Sequence, residues 1–183
     1  MNLSNKLNNR KTFDSIPFLS SLSDKRWQEI SQRCRMFEYD ADQKIIQHGD
    51  DYSDVYFLIT GSAHVLNYSS SGRAVSYATF TAGDFFGELA AIDGLPRSAW
   101  VWTMKPSKVL VMPGAVFREL VASERHLGLL LMQKLTRIIR TSDERIADMS
   151  LLGTEQRVCI ELIRISQTDP NDSSKLIVFP LPT

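Results

Sequence analysis

The sequence predicts an α+β chain: a central antiparallel roll or sandwich of short strands, flanked by helices, with one long helix towards the C-terminus. Three observations predict it. Between residues 34 and 112 the apolar residues fall in short alternating runs, through Met36, Tyr39, Ile45, Ile46, Val55, Phe57, Ile59, Val65, Val75, Tyr77 and Phe80. Turn signals punctuate these runs at Gly49-Asp50-Asp51, Gly61, Ser69-Ser70-Ser71-Gly72 and Gly83-Asp84, and regularly spaced short strands of this kind form sandwiches or rolls. From Ala115 to Leu152 the apolar spacing becomes helical.

The helical elements follow in order. Trp27 and Ile30 share one helical face, and Ser23 stands where an N-cap is needed, which predicts a short helical pair over Pro17–Arg33 after a frayed stretch at residues 1–12. A bend at Gly61 divides Val55–Thr60 from the next strand, and Ser70-Ser71-Gly72-Arg73 predicts a hairpin tip. Strands are expected at Trp100–Thr103 and Val109–Met112, with Pro113-Gly114 ending the roll. Phe117 and Leu120 fit a short helix, and Ser123 is the expected N-cap of a longer one.

Along that helix, positions 131, 135, 138, 142, 145, 149 and 152 alternate spacings of four and three, reading Leu, Leu, Ile, Ser, Arg, Met and Leu. This is an apolar coiled-coil seam with a polar break at Ser142 and Arg145. A helix of roughly 29 residues, about 43 Å long, outruns an isolated roll and calls for a partner helix. A symmetric homodimer supplies one most simply. Gly153 then interrupts the helix, and Thr154 can cap another through Ile165, before a polar turn and a strand-like Leu176–Phe179.

Composition excludes several classes. Lys plus Arg and Asp plus Glu both number 21, whereas a dedicated nucleic-acid binder shows a basic excess. Cys34 and Cys159 belong to no Cys-x-x-Cys pair, which argues against zinc, iron–sulfur or disulfide frameworks. Three scattered histidines, His48, His64 and His126, make a metal-dependent barrel enzyme a poor fit. No P-loop and no Gly-x-Ser-x-Gly elbow are present, and no acid–base pair aims at a bond, so no catalysis is expected. The polar N-terminus lacks a signal peptide's apolar region, and Leu127–Met132 is too short to span a bilayer. A cytoplasmic location without membrane association is expected.

The chemistry concentrates in Phe85–Ala99, which reads FFGELAAIDGLPRSA. Among small and apolar residues it carries one carboxylate, Glu88, and one guanidinium, Arg97. Arg97 offers a planar donor fork suited to phosphate, and Glu88 offers acceptors suited to sugar hydroxyls. Small neighbours let backbone N–H groups approach a ligand. A sugar phosphate fits such a set; the competing reading is an ordinary Glu88–Arg97 ion pair at a loop, with Gly87 serving only the turn.

This stretch resembles the phosphate-binding cassette of cyclic-nucleotide-binding domains: Phe-Gly-Glu-Leu-Ala, a short gap, then Pro-Arg-Ser-Ala, every position filled here. The wider chain, over residues 16–180, resembles the bacterial catabolite activator (cAMP receptor protein) family. The resemblance implies an antiparallel double-stranded β-helix, a jelly-roll-like β-roll, over residues 13–122. It implies a dimerisation helix over 123–152 and the start of a winged-helix DNA-binding domain over 153–183, with the helix-turn-helix itself absent from this chain.

It also implies roles. Arg97 and the N–H groups around Ser98 and Ala99 would hold the cyclic phosphate; Gly87, Glu88 and Leu89 would line the ribose side, with Glu88 on the 2′-hydroxyl. Thr141 or Ser142 would meet the purine across a homodimer, although Ser142 also fits a register-fixing polar residue in the seam. Ser98, where related domains preferring cGMP often carry threonine, tilts the effector to cAMP. Ligand would bias a hinge at Gly153 and so reorient DNA-binding domains. Two alternatives stay open: a cyclic-nucleotide module signalling to a protein partner without DNA, and a family member that answers another effector.

Overall fold

Proline's fixed φ and missing N–H suit the first turn of a helix, and Pro17 opens α1 (Pro17–Ser20) in this computed structural model. The structure describes residues 15–68, 74–169 and 172–178. Ser23 caps α2 (Asp24–Ser31) as expected, its hydroxyl accepting the Arg26 N–H at 3.2 Å. The expected fraying of residues 1–12 lies outside the described residues, as does the hairpin tip at 70–73.

The alternating stretch forms β1 (Arg35–Tyr39), β2 (Lys44–Ile46), β3 (Val55–Thr60), β4 (Ser62–Tyr68), β5 (Ala74–Thr81) and β6 (Phe85–Phe86). Then follow α3 (Glu88–Asp93), β7 (Trp100–Thr103) and β8 (Ser107–Met112). They build two antiparallel four-stranded sheets in the orders β1-β8-β3-β6 and β2-β7-β4-β5. This is the antiparallel, jelly-roll-like β-roll flanked by helices.

β3 shows how the roll is held. Five consecutive residues of it are buried, because both faces of its sheet are covered. Tyr56 and Leu58 point into the roll with Val65, Phe86, Ala99, Val101, Val109 and Val111. Phe57 points the other way, where its ring meets Phe18, Phe85 and Phe117 beneath the helices. At the bend between β3 and β4, Gly61 holds φ +92°, and a Cβ there would fall 2.6 Å from the Pro106 carbonyl oxygen. Only glycine fits so close an approach.

The C-terminal helices are α4 (Gly114–Ser123), α5 (Arg125–Leu151) and α6 (Thr154–Ile165). Ser123 does not cap α5. It ends α4, because its hydroxyl is already engaged, donating to the Leu120 carbonyl at 3.2 Å and accepting from Arg26 at 3.0 Å. Glu124, in an extended conformation, separates the helices and lends its carbonyl to the Leu127 and Gly128 amides. Arg26 and Arg33 both bind Glu119, tying α2 to α4. These hydrogen bonds, Arg33's first, hold the Glu119 carboxyl below its ordinary range.

The break at Leu152–Gly153 falls where it is expected. Thr154 is the first residue of α6 and not its cap; Gly153 takes the cap position, its N–H donating to Gln156 Oε1 at 3.0 Å. Beyond α6, β9 (Ser166–Asp169) and β10 (Asp172–Val178) pair antiparallel. Contacts divide the chain into two units, Met1–Leu130 and Leu131–Thr183. Among the described residues no helix is long and apolar enough to cross a membrane.

Candidate functional site: the cassette around Arg97

The cassette starts where β6 ends. Gly87, in the left-handed region at φ +85°, turns the chain into α3, and Gly94 at φ +72° turns it out again. Glu88 is the first residue of α3, a position that favours a carboxylate beside the helix's free N–H groups, and it is 96% removed from solvent at 4% exposure. Leu89 and Ser98 are exposed and Ala99 is buried in the roll.

Arg97 is the unusual member. Its residue is 3% exposed. Nη1 donates to the Gly87 carbonyl at 2.9 Å and Nη2 to the Asp54 carbonyl at 2.6 Å. Nε is buried with no hydrogen-bond partner. The guanidinium lies over the ring of Tyr52 at 4.5 Å and over that of Tyr56 at 5.6 Å, measured to the ring centroids. Among the described residues it forms no ion pair, so the Glu88–Arg97 bridge weighed from the sequence is not made; two neutral carbonyls take its place.

Its backbone is as firmly placed. The Arg97 N–H donates to the Asp50 carbonyl at 2.9 Å, and the Gly49 N–H donates to the Arg97 carbonyl at 2.9 Å. Residues 49–54, between β2 and β3, therefore wrap the arginine at both ends. Burial, and after it the neighbouring Tyr52, push the phenols of Tyr56 and Tyr39 up, so both are neutral hydroxyls. Arg118 of α4 reaches across to the last turn of α3, donating to the Ala91 carbonyl at 2.6 Å.

The structure thus brings Gly87, Glu88, Arg97, Ser98 and Ala99 into one corner of the roll. Thr141 and Ser142 lie on α5 in the second unit, both exposed. Tyr52 and the Asp54 carbonyl are site residues that sequence reasoning missed. The available signal was a lone aromatic directly after the turn Gly49-Asp50-Asp51, to which no role is assigned from the sequence.

The corner of this antiparallel β-roll thus presents a buried guanidinium beside a glycine-flanked helix. Residues 36–124 match the model of the cyclic nucleotide-binding domain. The chain is 25% identical over 135 residues to the cAMP-activated global transcriptional regulator CRP of Haemophilus influenzae, covering 73% of this chain and 60% of that one. It is 28% identical over 147 residues to the cAMP-activated global transcriptional regulator Vfr of Pseudomonas aeruginosa, covering 78% and 69%. The chain thus spans about three fifths to two thirds of these curated relatives. The Thermus thermophilus catabolite activator protein shares the fold, with a TM-score of 0.64 and 19% identity over 73% of this chain and 63% of that one.

Proposed function

We propose that this chain is the effector-sensing part of a cyclic-nucleotide-responsive transcriptional regulator, with cAMP as the effector. The observation that carries the reading is Arg97. A guanidinium withdrawn from water costs several kcal/mol unless it is compensated, and here only two neutral carbonyls and two aromatic rings compensate it. One donor, Nε, is left without a partner. An anionic ligand completes such a site, and a cyclic phosphate matches the planar donor fork.

In this reading Arg97 and the Ser98–Ala99 backbone hold the phosphate, and Gly87, Glu88 and Leu89 hold the ribose side. Thr141 or Ser142 contacts the purine in a homodimer paired through α5. Ligand shifts the population of α5–α6 arrangements about Gly153, and residues 153–183 begin the DNA-binding region. The relatives named as cAMP-activated transcriptional regulators support both the effector and the output.

Calorimetric titration with cAMP, and with cGMP in parallel, tests this. The wild-type chain should bind cAMP more tightly than cGMP. Arg97→Ala should weaken cAMP binding by about tenfold to a hundredfold, the scale of a lost hydrogen bond to a charged group. Failure of both nucleotides to bind the wild-type chain overturns the reading.

A further inference from the structure

Tyr52 stands between solvent and the guanidinium that the proposed function assigns to phosphate. Its ring covers Arg97 at 4.5 Å, while the residue itself is 37% exposed. Arg97 beneath it is nearly sealed, at 3%. A cation on an aromatic face is held by the ring's electron density, more strongly when water is excluded.

The segment carrying Tyr52 is fastened at its ends and light in the middle. Gly49 and Asp50 are bonded to the Arg97 backbone, each at 2.9 Å. The Asp54 carbonyl is bonded to Nη2 at 2.6 Å. Between them, the Tyr52 side chain is held by its hydroxyl, which donates to the Ile45 carbonyl at 3.3 Å and also meets the Tyr56 hydroxyl, and by its contact with the guanidinium. Swinging the ring outward breaks these hydroxyl contacts and the cation–π contact, and leaves the three bonds between Arg97 and the backbone of residues 49–54 intact.

We propose that Tyr52 is the gate of the anion site: its ring shields the Arg97 guanidinium while the site is empty and swings outward to admit the anion. Tyr52 is then a positioning residue, which holds Arg97 on the Gly87 and Asp54 carbonyls and sets how fast a ligand reaches it. The proposal rests on the reading of Arg97 as the phosphate-binding residue, but the shielding itself can be measured without any nucleotide.

The first measurement is modification of Arg97 by phenylglyoxal, a reagent for accessible arginine, followed by peptide mass in wild type, Tyr52→Ala and Tyr52→Phe. Tyr52→Ala should react about tenfold faster, as loss of a desolvated cation–π contact implies. Tyr52→Phe keeps the ring and should keep the protection. Equal rates in wild type and Tyr52→Ala overturn the gate. The second is the association rate of a fluorescent cAMP derivative by stopped flow, which should rise in Tyr52→Ala and stay near wild type in Tyr52→Phe; an unchanged rate in Tyr52→Ala overturns the gate. Faster modification with no cAMP binding in either protein supports the shielding and sinks the nucleotide reading alone.

Discussion

The side chain of Arg97 occupies the space that any side chain at Gly87 would need. A Cβ at Gly87 would lie 2.7 Å from Nη1 of Arg97 and 2.9 Å from the Asp54 carbonyl oxygen. The glycine that turns the chain into α3 therefore also leaves room for the Arg97 guanidinium. Gly94, at the other end of the same helix, has a similar left-handed backbone but nothing within 4 Å of its would-be Cβ.

The two glycines make a matched pair of substitutions. Gly94→Ala should lower stability by about 1–2 kcal/mol, the cost of a left-handed backbone for a residue with a Cβ. Gly87→Ala carries the same strain and must also displace Arg97, so it should destabilise more and should weaken cAMP binding where Gly94→Ala does not. Urea midpoints and calorimetry on both variants check this; equal behaviour would remove Gly87's special role.

The two thiols should behave oppositely. Cys34 is buried, and burial pushes its thiol up to about 12, while Cys159 is exposed. The thiolate is the reactive form. One thiol per folded chain should react rapidly with an aromatic disulfide reagent near neutral pH, and Cys159→Ser should abolish that phase. The folded chain holds the Cys34 proton more tightly than the unfolded one. Its contribution to stability is present below the ordinary thiol value of 9.0 and is lost as pH rises towards about 12. A Cys34→Ala variant should show a flatter alkaline limb in a stability–pH curve.

Much of this fold is legible in the sequence because strand faces are written as alternation. Tyr56 and Leu58 face one way and Phe57 the other, as period two demands. The cassette is legible because Gly87, Glu88 and Arg97 lie close in sequence and are chemically distinctive. Tyr52 is not, because its contact with Arg97 depends on how a polar turn folds over a distant loop, and no local period encodes that. The Ser123 cap is misread for a related reason: residues on other turns and helices claim its hydroxyl first. On α5 the expected seam leaves Ile138 and Met149 exposed, and a second row runs one position along. Leu131 is buried, while Met132, Ile139 and Ile146 are exposed at seven-residue spacing, with Leu135, Ser142 and Met149 between them.

That exposure pattern predicts where a homodimer would pair. An apolar row at alternating spacings of three and four is what a partner helix buries. Sedimentation should show a dimer. Ile146→Glu should raise its dissociation constant at least about 30-fold, the ~2 kcal/mol typical of a central interface residue. A monomeric wild-type chain, or an Ile146→Glu chain that pairs as well as wild type, would rule this row out.

The proposed hinge can be separated from the strain that glycines often relieve. Gly153 has an ordinary extended backbone, φ −69° and ψ 167°, and a Cβ there would meet only Gln156 Oε1, at 3.8 Å. Gly153→Ala should therefore leave stability within about 0.5 kcal/mol of wild type, as a surface substitution does. Any effect on ligand response must then come from conformations outside this one, which alanine reaches less readily than glycine. Across the break, Arg164 of α6 donates to Asp148 of α5 at 2.5 Å, so Asp148→Asn weakens a tie that holds this arrangement. Hydrogen exchange over residues 150–157 should change on adding cAMP to wild type, change less in Gly153→Ala, and start faster in ligand-free Asp148→Asn. If cAMP binds yet exchange in this segment is the same with and without it, the ligand is not read through Gly153, and the signal must leave the roll by another route.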